Sequence, residues 1–200
     1  LIVDKSPLGM EVENPEGETI AFPTLRGILA WNPSQKWCDV DHGAIPFLMN
    51  GADCMALVAL YKSLTFAGSG KRLPWPVTES GNVGPLAPTY CEWEYIQCDE
   101  QNVRVATLNL KNLQLQGELP NEIGLFGHAK EIYLYANEVS GAIPSSIGNL
   151  TYLTDLELDM NLFGGSLPES LGDLKNLTYL SFGYNKLTGP IPKSLGRLSK

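Results

Sequence analysis

Positive charge and long apolar runs are both scarce in this sequence. Of its 200 residues, 14 are Lys or Arg and 22 are Asp or Glu, which gives a formal net charge of −8. Because nucleic-acid-binding surfaces are basic, this balance argues against a nucleic-acid partner. A membrane-spanning helix needs roughly 18 consecutive apolar residues, and the longest clear apolar run covers only residues 55–60. We therefore expect no membrane span within these residues.

Histidine is also rare, and no catalytic motif accompanies it. The two histidines, His42 and His128, have no nucleophile at motif spacing, and no glycine-rich phosphate loop is present. Neither histidine lies near a cysteine pair with the spacing of a zinc site. We therefore predict no catalytic residue, no metal and no cofactor within these residues. A kinase domain elsewhere in a longer chain is compatible with this prediction.

The sequence has four cysteines, namely Cys38, Cys54, Cys91 and Cys98. An even number fits an oxidised, secreted chain. Three pairings are open, and closeness in the sequence favours a bridge between the last two, which leaves the first two as a pair. Asn149 and Asn176 each begin an Asn-Leu-Thr triplet, the acceptor sequence for N-linked glycosylation. These features predict an extracellular or cell-surface location.

The most informative feature present is a fourfold repeat with a period of 24 residues. An aliphatic residue, a glycine and a proline each return at that period. The three columns are Leu108, Ile132, Leu156 and Leu180; Gly117, Gly141, Gly165 and Gly189; and Pro120, Pro144, Pro168 and Pro192. A fixed period of roughly 20–29 residues with a strand-like start and a Leu/Asn/Gly/Pro tail is the signature of a leucine-rich repeat solenoid. The predicted units are 105–128, 129–152, 153–176 and 177–200.

The third unit shows how one repeat is built. Leu156 and Leu158 alternate with acidic residues, which is the two-residue period of a strand with one face in water. Asn161 follows, and its side-chain amide can bond to backbone groups that the turn leaves unpaired. Since the second and fourth units also have Asn here, we predict a ladder of buried amides, with Leu113 at this position in the first unit. A short helical return over residues 166–172 is then predicted to close the coil.

The fourth unit resembles the plant-type leucine-rich repeat consensus LxxLxLxxNxLxGxIPxxLGxL. Residues 177–198 depart from it only by Phe182 in place of Leu, and the resemblance extends over 105–200. It implies an α/β fold, a right-handed solenoid with a parallel sheet on its concave face and a second, shorter strand per coil near the glycine. It also implies a function in extracellular recognition.

Residues 51–104 resemble the amino-terminal cap of the same family. Residues 53–64 lack helix breakers and are rich in helix formers, like the opening helix of that cap. The segment Cys-Glu-Trp-Glu-Tyr-Ile-Gln-Cys at 91–98 resembles the closing motif CxWxGVxC, with Tyr95 where the family has Gly. The resemblance implies a helical, disulfide-linked cap with its helix over about 53–64 and a loop over 71–89.

The two ends of the sequence lead to separate expectations. Residues 1–50 match no pattern, so we assign them to an accessory region of unknown fold, which a Cys38–Cys54 bridge would tie to the cap. Lys200 completes a 24-residue unit with no polar capping repeat after it. Solenoid ends require such caps, so we expect the repeats to continue in a longer chain.

Outward strand positions of the repeats are predicted to form the binding surface. Four carboxylates crowd together there, bordered by four tyrosines. The eight residues are Glu131, Asp155, Glu157, Asp159, Tyr133, Tyr135, Tyr179 and Tyr184. Adjacent like charges weaken a sheet, so their presence favours a cationic or hydroxyl-rich partner, with tyrosines as rigid contact surface. A solvated acidic face and a divalent-ion site are the alternatives.

The function predicted from these features is recognition by the ectodomain of a receptor-like protein. Its partners would be a protein, peptide or glycan ligand on the concave face, together with a co-receptor. The first alternative is a secreted inhibitor of cell-wall-degrading glycosidases, similar to polygalacturonase-inhibiting proteins. The second is a structural or surface-adhesion protein for glycan or ice, which the mixed, charged columns disfavour. An apolar segment of about 20 residues after the repeats would favour the receptor over the inhibitor.

Overall fold

A computed structural model describes residues 4–6, 9–13, 19–22, 51–77 and 90–198. In one compact unit, strands β1 (Asp4–Ser6), β2 (Gly9–Glu13) and β3 (Thr19–Phe22) form an antiparallel sheet with β2 at its centre. No strand was predicted in residues 1–50, so this sheet is a finding of the structure. The predicted Cys38–Cys54 pairing involves Cys38, which lies outside the described residues.

In the second compact unit, the described residues start at helix α1 (Gly51–Ser63), which is followed directly by β4 (Leu64–Phe66). The helix was predicted over about 53–64, but Leu64 is the first residue of β4 and pairs with Gly117 of β7 (Leu115–Glu118). Gly117 has a φ of +120°, and a Cβ there would lie 2.0 Å from the Ser63 carbonyl oxygen. Only glycine allows this close approach of β7 to the end of the helix. Among the described residues, no helix is long and apolar enough to cross a membrane.

A parallel sheet carries the repeats. Its strands are β6 (Val105–Asn109), β8 (Glu131–Tyr133), β10 (Asp155–Glu157) and β12 (Tyr179–Ser181), with β5 (Ile96–Cys98) antiparallel at the β6 edge. The register pairs Leu108 with Ile132, Ile132 with Leu156, and Leu156 with Leu180. The prediction of a parallel sheet with stacked aliphatic columns is therefore confirmed.

Each coil continues through a second strand and a short 3-10 helix. The second strands are β7, β9 (Glu138–Ser140), β11 (Gly164–Gly165) and β13 (Lys186–Leu187). β7 pairs with β4 and β9, and β11 pairs with β13. The helices are Asn121–Leu125, Ser145–Asn149, Glu169–Asp173 and Lys193–Arg197. A second, shorter strand near the glycine and a helical return were both predicted. The second strand is present in each coil, but in the second coil β8 and β9 have three residues each. The return of the third coil, predicted over 166–172, is Glu169–Asp173.

The predicted ladder of amides is present where the first strand of a coil turns toward the second. Asn137 and Asn161 are buried as predicted, whereas Asn185 in the last coil is half-buried. Asn137 accepts hydrogen bonds at Oδ1 from the backbone N–H of Leu113 (3.1 Å) and Leu115 (2.9 Å), and its Nδ2 donates to the carbonyl of Leu110 at 2.7 Å. Asn161, only 4% exposed, makes the equivalent contacts in the next coil. Each amide satisfies backbone groups that the turn would otherwise leave buried and unpaired.

A buried carboxylate joins α1 to the first repeat strand. Asp53 is inaccessible to solvent and accepts hydrogen bonds from Arg104 Nε at 2.9 Å, from Arg104 Nη2 at 3.1 Å and from the Val105 N–H at 2.9 Å. The hydroxyl of Tyr90 donates to the Val103 carbonyl beside it. Buried charges persist when paired and hydrogen-bonded in this way. Sequence analysis did not predict this network.

The segment between α1 and the repeats is closed by a disulfide between Cys91 and Cys98, whose Cα atoms are 5.3 Å apart. Trp93 is 4% exposed and its ring centroid lies 5.8 Å from that of Trp75. Tyr95 has a φ of 71°, the left-handed conformation that glycine favours. Residues 78–89 of the predicted loop lie outside the described residues.

Candidate functional site

The strands bring the predicted surface residues into register. Glu131 pairs with Asp155, and Tyr133 pairs with Glu157, on neighbouring strands β8 and β10. Asp155 pairs in turn with Tyr179 on β12. Because side chains alternate along a strand, these residues lie on the face opposite the buried aliphatic column. Four of them are half-buried, and Tyr179 is 51% exposed.

Backbone hydrogen bonds keep the coils aligned beyond the strand ends. The N–H of Ala136 donates to the Asp159 carbonyl at 3.1 Å, which places Tyr135 beside Asp159 on adjacent coils. Ala136, the residue after Tyr135, and its equivalents in the other coils have φ values of 52–56°. This left-handed conformation turns the chain toward the amide ladder. In the last coil this position is Tyr184, which is 88% exposed. The two predicted tyrosines of the last coil are thus exposed, while the other six predicted residues are half-buried on two adjacent coils.

Burial and like charges shift the acidities of the patch. Burial raises the pKa of Tyr133 to about 12, with further contributions from the carboxylates of Glu131, Asp155 and Glu157. The phenol is therefore a hydrogen-bond donor at neutral pH. Burial, followed by the charge of Asp159, raises the pKa of the Glu157 carboxyl. The patch thus holds negative charge against an electrostatic cost.

Two contacts at the β6 edge were not predicted. Thr107 Oγ1 donates to Glu131 Oε2 at 3.0 Å, which orients that carboxylate. Lys111 Nζ lies 5.6 Å from the ring centroid of Tyr133 and 5.9 Å from that of Tyr135. Both distances are within cation–π range. The signal available in the sequence was that Lys111 is the single cation among the outward residues of β6, β8, β10 and β12 and of the three residues that follow each of these strands.

No metal site accompanies the patch in the part of the chain that the structure describes. Within those ranges, no group of three or more His, Cys, Asp or Glu side chains is arranged to hold a metal ion. The surface consequently offers hydrogen-bond acceptors, phenol rings and one ammonium.

Comparison with known proteins identifies a matching family model and similar solved structures. The family model described as Leucine Rich Repeat matches residues 176–198. A chain of the BIR3–SERK2 complex from Arabidopsis thaliana is 36% identical, with a TM-score of 0.62, and the match covers 73% of this chain and 76% of that one. The chain belongs to the plant-type leucine-rich repeat family. No curated protein sequence gives a significant match.

Two larger receptor ectodomains are similar to this plant-type leucine-rich repeat protein. The ectodomain of the membrane receptor kinase GASSHO1/SCHENGEN3 from Arabidopsis thaliana, in complex with CASPARIAN STRIP INTEGRITY FACTOR 2, is 32% identical with a TM-score of 0.63. The Arabidopsis receptor kinase HAESA, in complex with the peptide hormone IDA and the co-receptor SERK1, is 25% identical with a TM-score of 0.59. Each match covers 73% of this chain, but only 17% and 23%, respectively, of those chains.

The two predicted glycosylation acceptors of the leucine-rich repeats differ in presentation. Asn149 is exposed at the end of its 3-10 helix. Asn176 is half-buried, and its Nδ2 donates to the Thr151 carbonyl at 2.8 Å. Both remain predictions, and Asn149 is the more accessible acceptor.

Proposed function

We propose that this chain is an extracellular recognition module, the ectodomain of a receptor-like leucine-rich repeat protein that binds a peptide or protein on its concave face. The observation that carries the proposal is the in-register patch of Glu131, Tyr133, Tyr135, Asp155, Glu157 and Asp159. Tyrosines supply large, rigid contact area with a polar tip, which is why they are enriched at interfaces.

Charge supports a partner over a merely solvated acidic face. Asp155 and Glu157 lie on one strand beside Glu131 on the next, and like charges across a sheet are destabilising. Burial, followed by the charge of Asp159, raises the pKa of the Glu157 carboxyl, which supports an unfavourable electrostatic environment for this charge. A cationic partner would remove part of this cost on binding.

The related structures point to the same class of partner. Two similar ectodomains were solved with bound partners, one of them a peptide hormone together with a co-receptor. This favours a peptide or protein ligand and a co-receptor over a glycan, and a receptor-like protein over a glycosidase inhibitor. Inhibition of a polygalacturonase by the purified chain would reverse that preference.

The finer domain assignments belong to the same proposal. Residues 51–104 would serve as the amino-terminal cap, because α1 packs against the 3-10 helix of the first coil, Asn121–Leu125, and Asp53 bonds to the first repeat strand. Residues 105–200 would form the four coils. The Cys91–Cys98 disulfide is consistent with an oxidising, extracellular location.

The proposal is tested with peptides that are selected from a displayed random library for binding to the 200-residue chain. The double variant Tyr135→Ala/Asp159→Ala should lose binding of the selected peptides while its melting temperature stays nearly unchanged, because both side chains lie at the surface of the sheet. Tyr152→Ala/Asp173→Ala is the matched control, since Tyr152 is 55% exposed and the Asp173 side chain 53% exposed, and neither is an outward residue of the parallel sheet. Peptides that bind the first variant normally and fail on the control would exclude the concave face.

A further inference from the structure

The concave patch already holds a cation, the ammonium of Lys111. This single ammonium lies within cation–π distance of two neighbouring rings, at 5.6 Å from the centroid of Tyr133 and 5.9 Å from that of Tyr135. An ammonium or guanidinium is attracted to the face of an aromatic ring by the quadrupole of the ring. Two tyrosines that share one cation are therefore a subsite with a defined chemical preference. This observation is independent of the acidic residues around it.

The surroundings of the two rings are more negative than Lys111 alone can balance. Glu157 pairs with Tyr133 across β8 and β10, and Asp159 lies beside Tyr135. On the far side of these carboxylates, the next coil presents the small residues Ser181 and Gly183. A Cβ at Gly183 would meet nothing within 4 Å. The carboxylates are thus open to a second molecule on that side.

We propose that Lys111 is an internal occupant of a cation subsite, and that the partner places an arginine or lysine side chain against Tyr133 and Tyr135, displacing it. This inference rests on the proposed function and specifies the ligand chemistry of the same surface. The Lys111 residue is exposed, so its ammonium can swing into water on its flexible stem. Two cations at the same rings would repel each other, so the incoming side chain and Lys111 compete.

The competition has a measurable size. Releasing an exposed ammonium from aromatic rings should weaken binding of a cationic ligand by about two- to fivefold. Substitution of Lys111 by methionine keeps the length of the side chain and removes the charge. The Lys111→Met protein should therefore bind a cationic peptide about two- to fivefold more tightly than a matched control.

The test uses the full 200-residue chain with isotope-labelled tyrosine rings, titrated with acetyl-Gly-Arg-Gly-amide and followed by NMR. Lys130→Met is the control, because Lys130 is an exposed lysine just before β8, outside the tyrosine pair, and its loss changes the net charge equally. The expected result is that the peptide shifts the Tyr133 and Tyr135 signals in the wild type, in Lys111→Met and in Lys130→Met. Lys111→Met should bind the peptide more tightly than Lys130→Met. Equal or weaker binding by Lys111→Met overturns the proposal.

A second peptide separates this inference from the proposed function. If acetyl-Gly-Glu-Gly-amide shifts the two tyrosine signals and loses affinity in Lys111→Met, Lys111 is itself a ligand-binding cation. The concave face then stays the recognition surface while the displacement proposal fails. If neither peptide shifts the rings in any of the proteins, both the displacement proposal and the polypeptide-binding role of this patch are contradicted.

Discussion

The clearest quantitative prediction concerns Asp53, whose carboxylate is inaccessible to solvent and makes three hydrogen bonds to Arg104 and Val105. The Arg104 side chain is only 17% exposed, so the Asp53 carboxylate compensates a positive charge that water reaches only in part. The hydrogen bonds to Asp53 are the main reason that the pKa of the Arg104 guanidinium is raised. Breaking a buried pair by removing one charge costs about 3–5 kcal/mol. Asp53→Asn keeps the volume and should lie near the lower limit.

The free energy of unfolding of Asp53→Asn is measured by urea unfolding and its melting temperature by thermal unfolding. Both transitions are monitored by circular dichroism and tryptophan fluorescence. For a domain of this size, a loss of about 3–5 kcal/mol corresponds to a fall in melting temperature of roughly 6–20 °C. Arg104→Gln should cost a similar amount because it leaves Asp53 buried and charged. The double variant Asp53→Asn/Arg104→Gln leaves no buried charge and should cost clearly less than the sum of the two.

Two outcomes would refute this reasoning. One is a loss of less than about 1 kcal/mol in Asp53→Asn, which is the range of an exposed ion pair. The other is additivity, in which the double variant loses the sum of the two single losses, because residues in contact are expected to couple.

Three further predictions concern packing, backbone and charge. Gly148→Ala should destabilise the chain by about 2 kcal/mol or more, because a Cβ there would stand 2.6 Å from both the carbonyl oxygen and the Cβ of Ser170. Gly196 has the same repeat position, and a Cβ there would meet nothing within 4 Å, so Gly196→Ala should leave the free energy of unfolding in urea unchanged. Tyr95→Gly should be more stable than Tyr95→Ala by about 1 kcal/mol, since both lose the ring but only glycine adopts the φ of 71° without strain; equal stabilities would contradict this. Because the pKa of Tyr133 is raised from 10.0 to about 12, the folded state retains a proton that the unfolded state has lost between these values, so the wild type should lose stability faster than Tyr133→Phe as pH rises through that window. Parallel pH profiles of unfolding would show that Tyr133 titrates normally.

Periodicity is what made most of the fold predictable. The 24-residue spacing placed Leu108, Ile132 and Leu156 in one column, and the strands pair those residues. The same spacing put Asn137 and Asn161 at equivalent turns, where their amides bond to the backbone of the preceding coil. A repeated pattern is informative because every coil must meet the same packing and hydrogen-bonding demands.

Features that occur once were not predictable in the same way. Asp53 and Arg104 are 51 residues apart, and no local pattern relates them. In β2, Met10 and Val12 alternate with acidic residues, but five residues are too few to distinguish this alternation from chance. The contact of Lys111 with two rings depends on the path of a long side chain, which register alone does not determine.

Tyr95 shows what a departure from the family pattern can reveal. The family has glycine at that position, and Tyr95 keeps the left-handed backbone that glycine would adopt. The resemblance therefore identified a strained residue that composition and periodicity would have missed. The disulfide that follows at Cys98 holds the turn in place.

Hydroxyl-radical footprinting of tyrosine side chains tests the central claim most directly, namely that recognition occurs on the outward face of the parallel sheet. A peptide selected on the chain is added, and the oxidation of each tyrosine is quantified by mass spectrometry. The account predicts that the bound peptide protects Tyr133, Tyr135 and the exposed Tyr179, while Tyr152, which stacks on His128, is oxidised as before. Protection of Tyr152 with unchanged oxidation of the other three would contradict it.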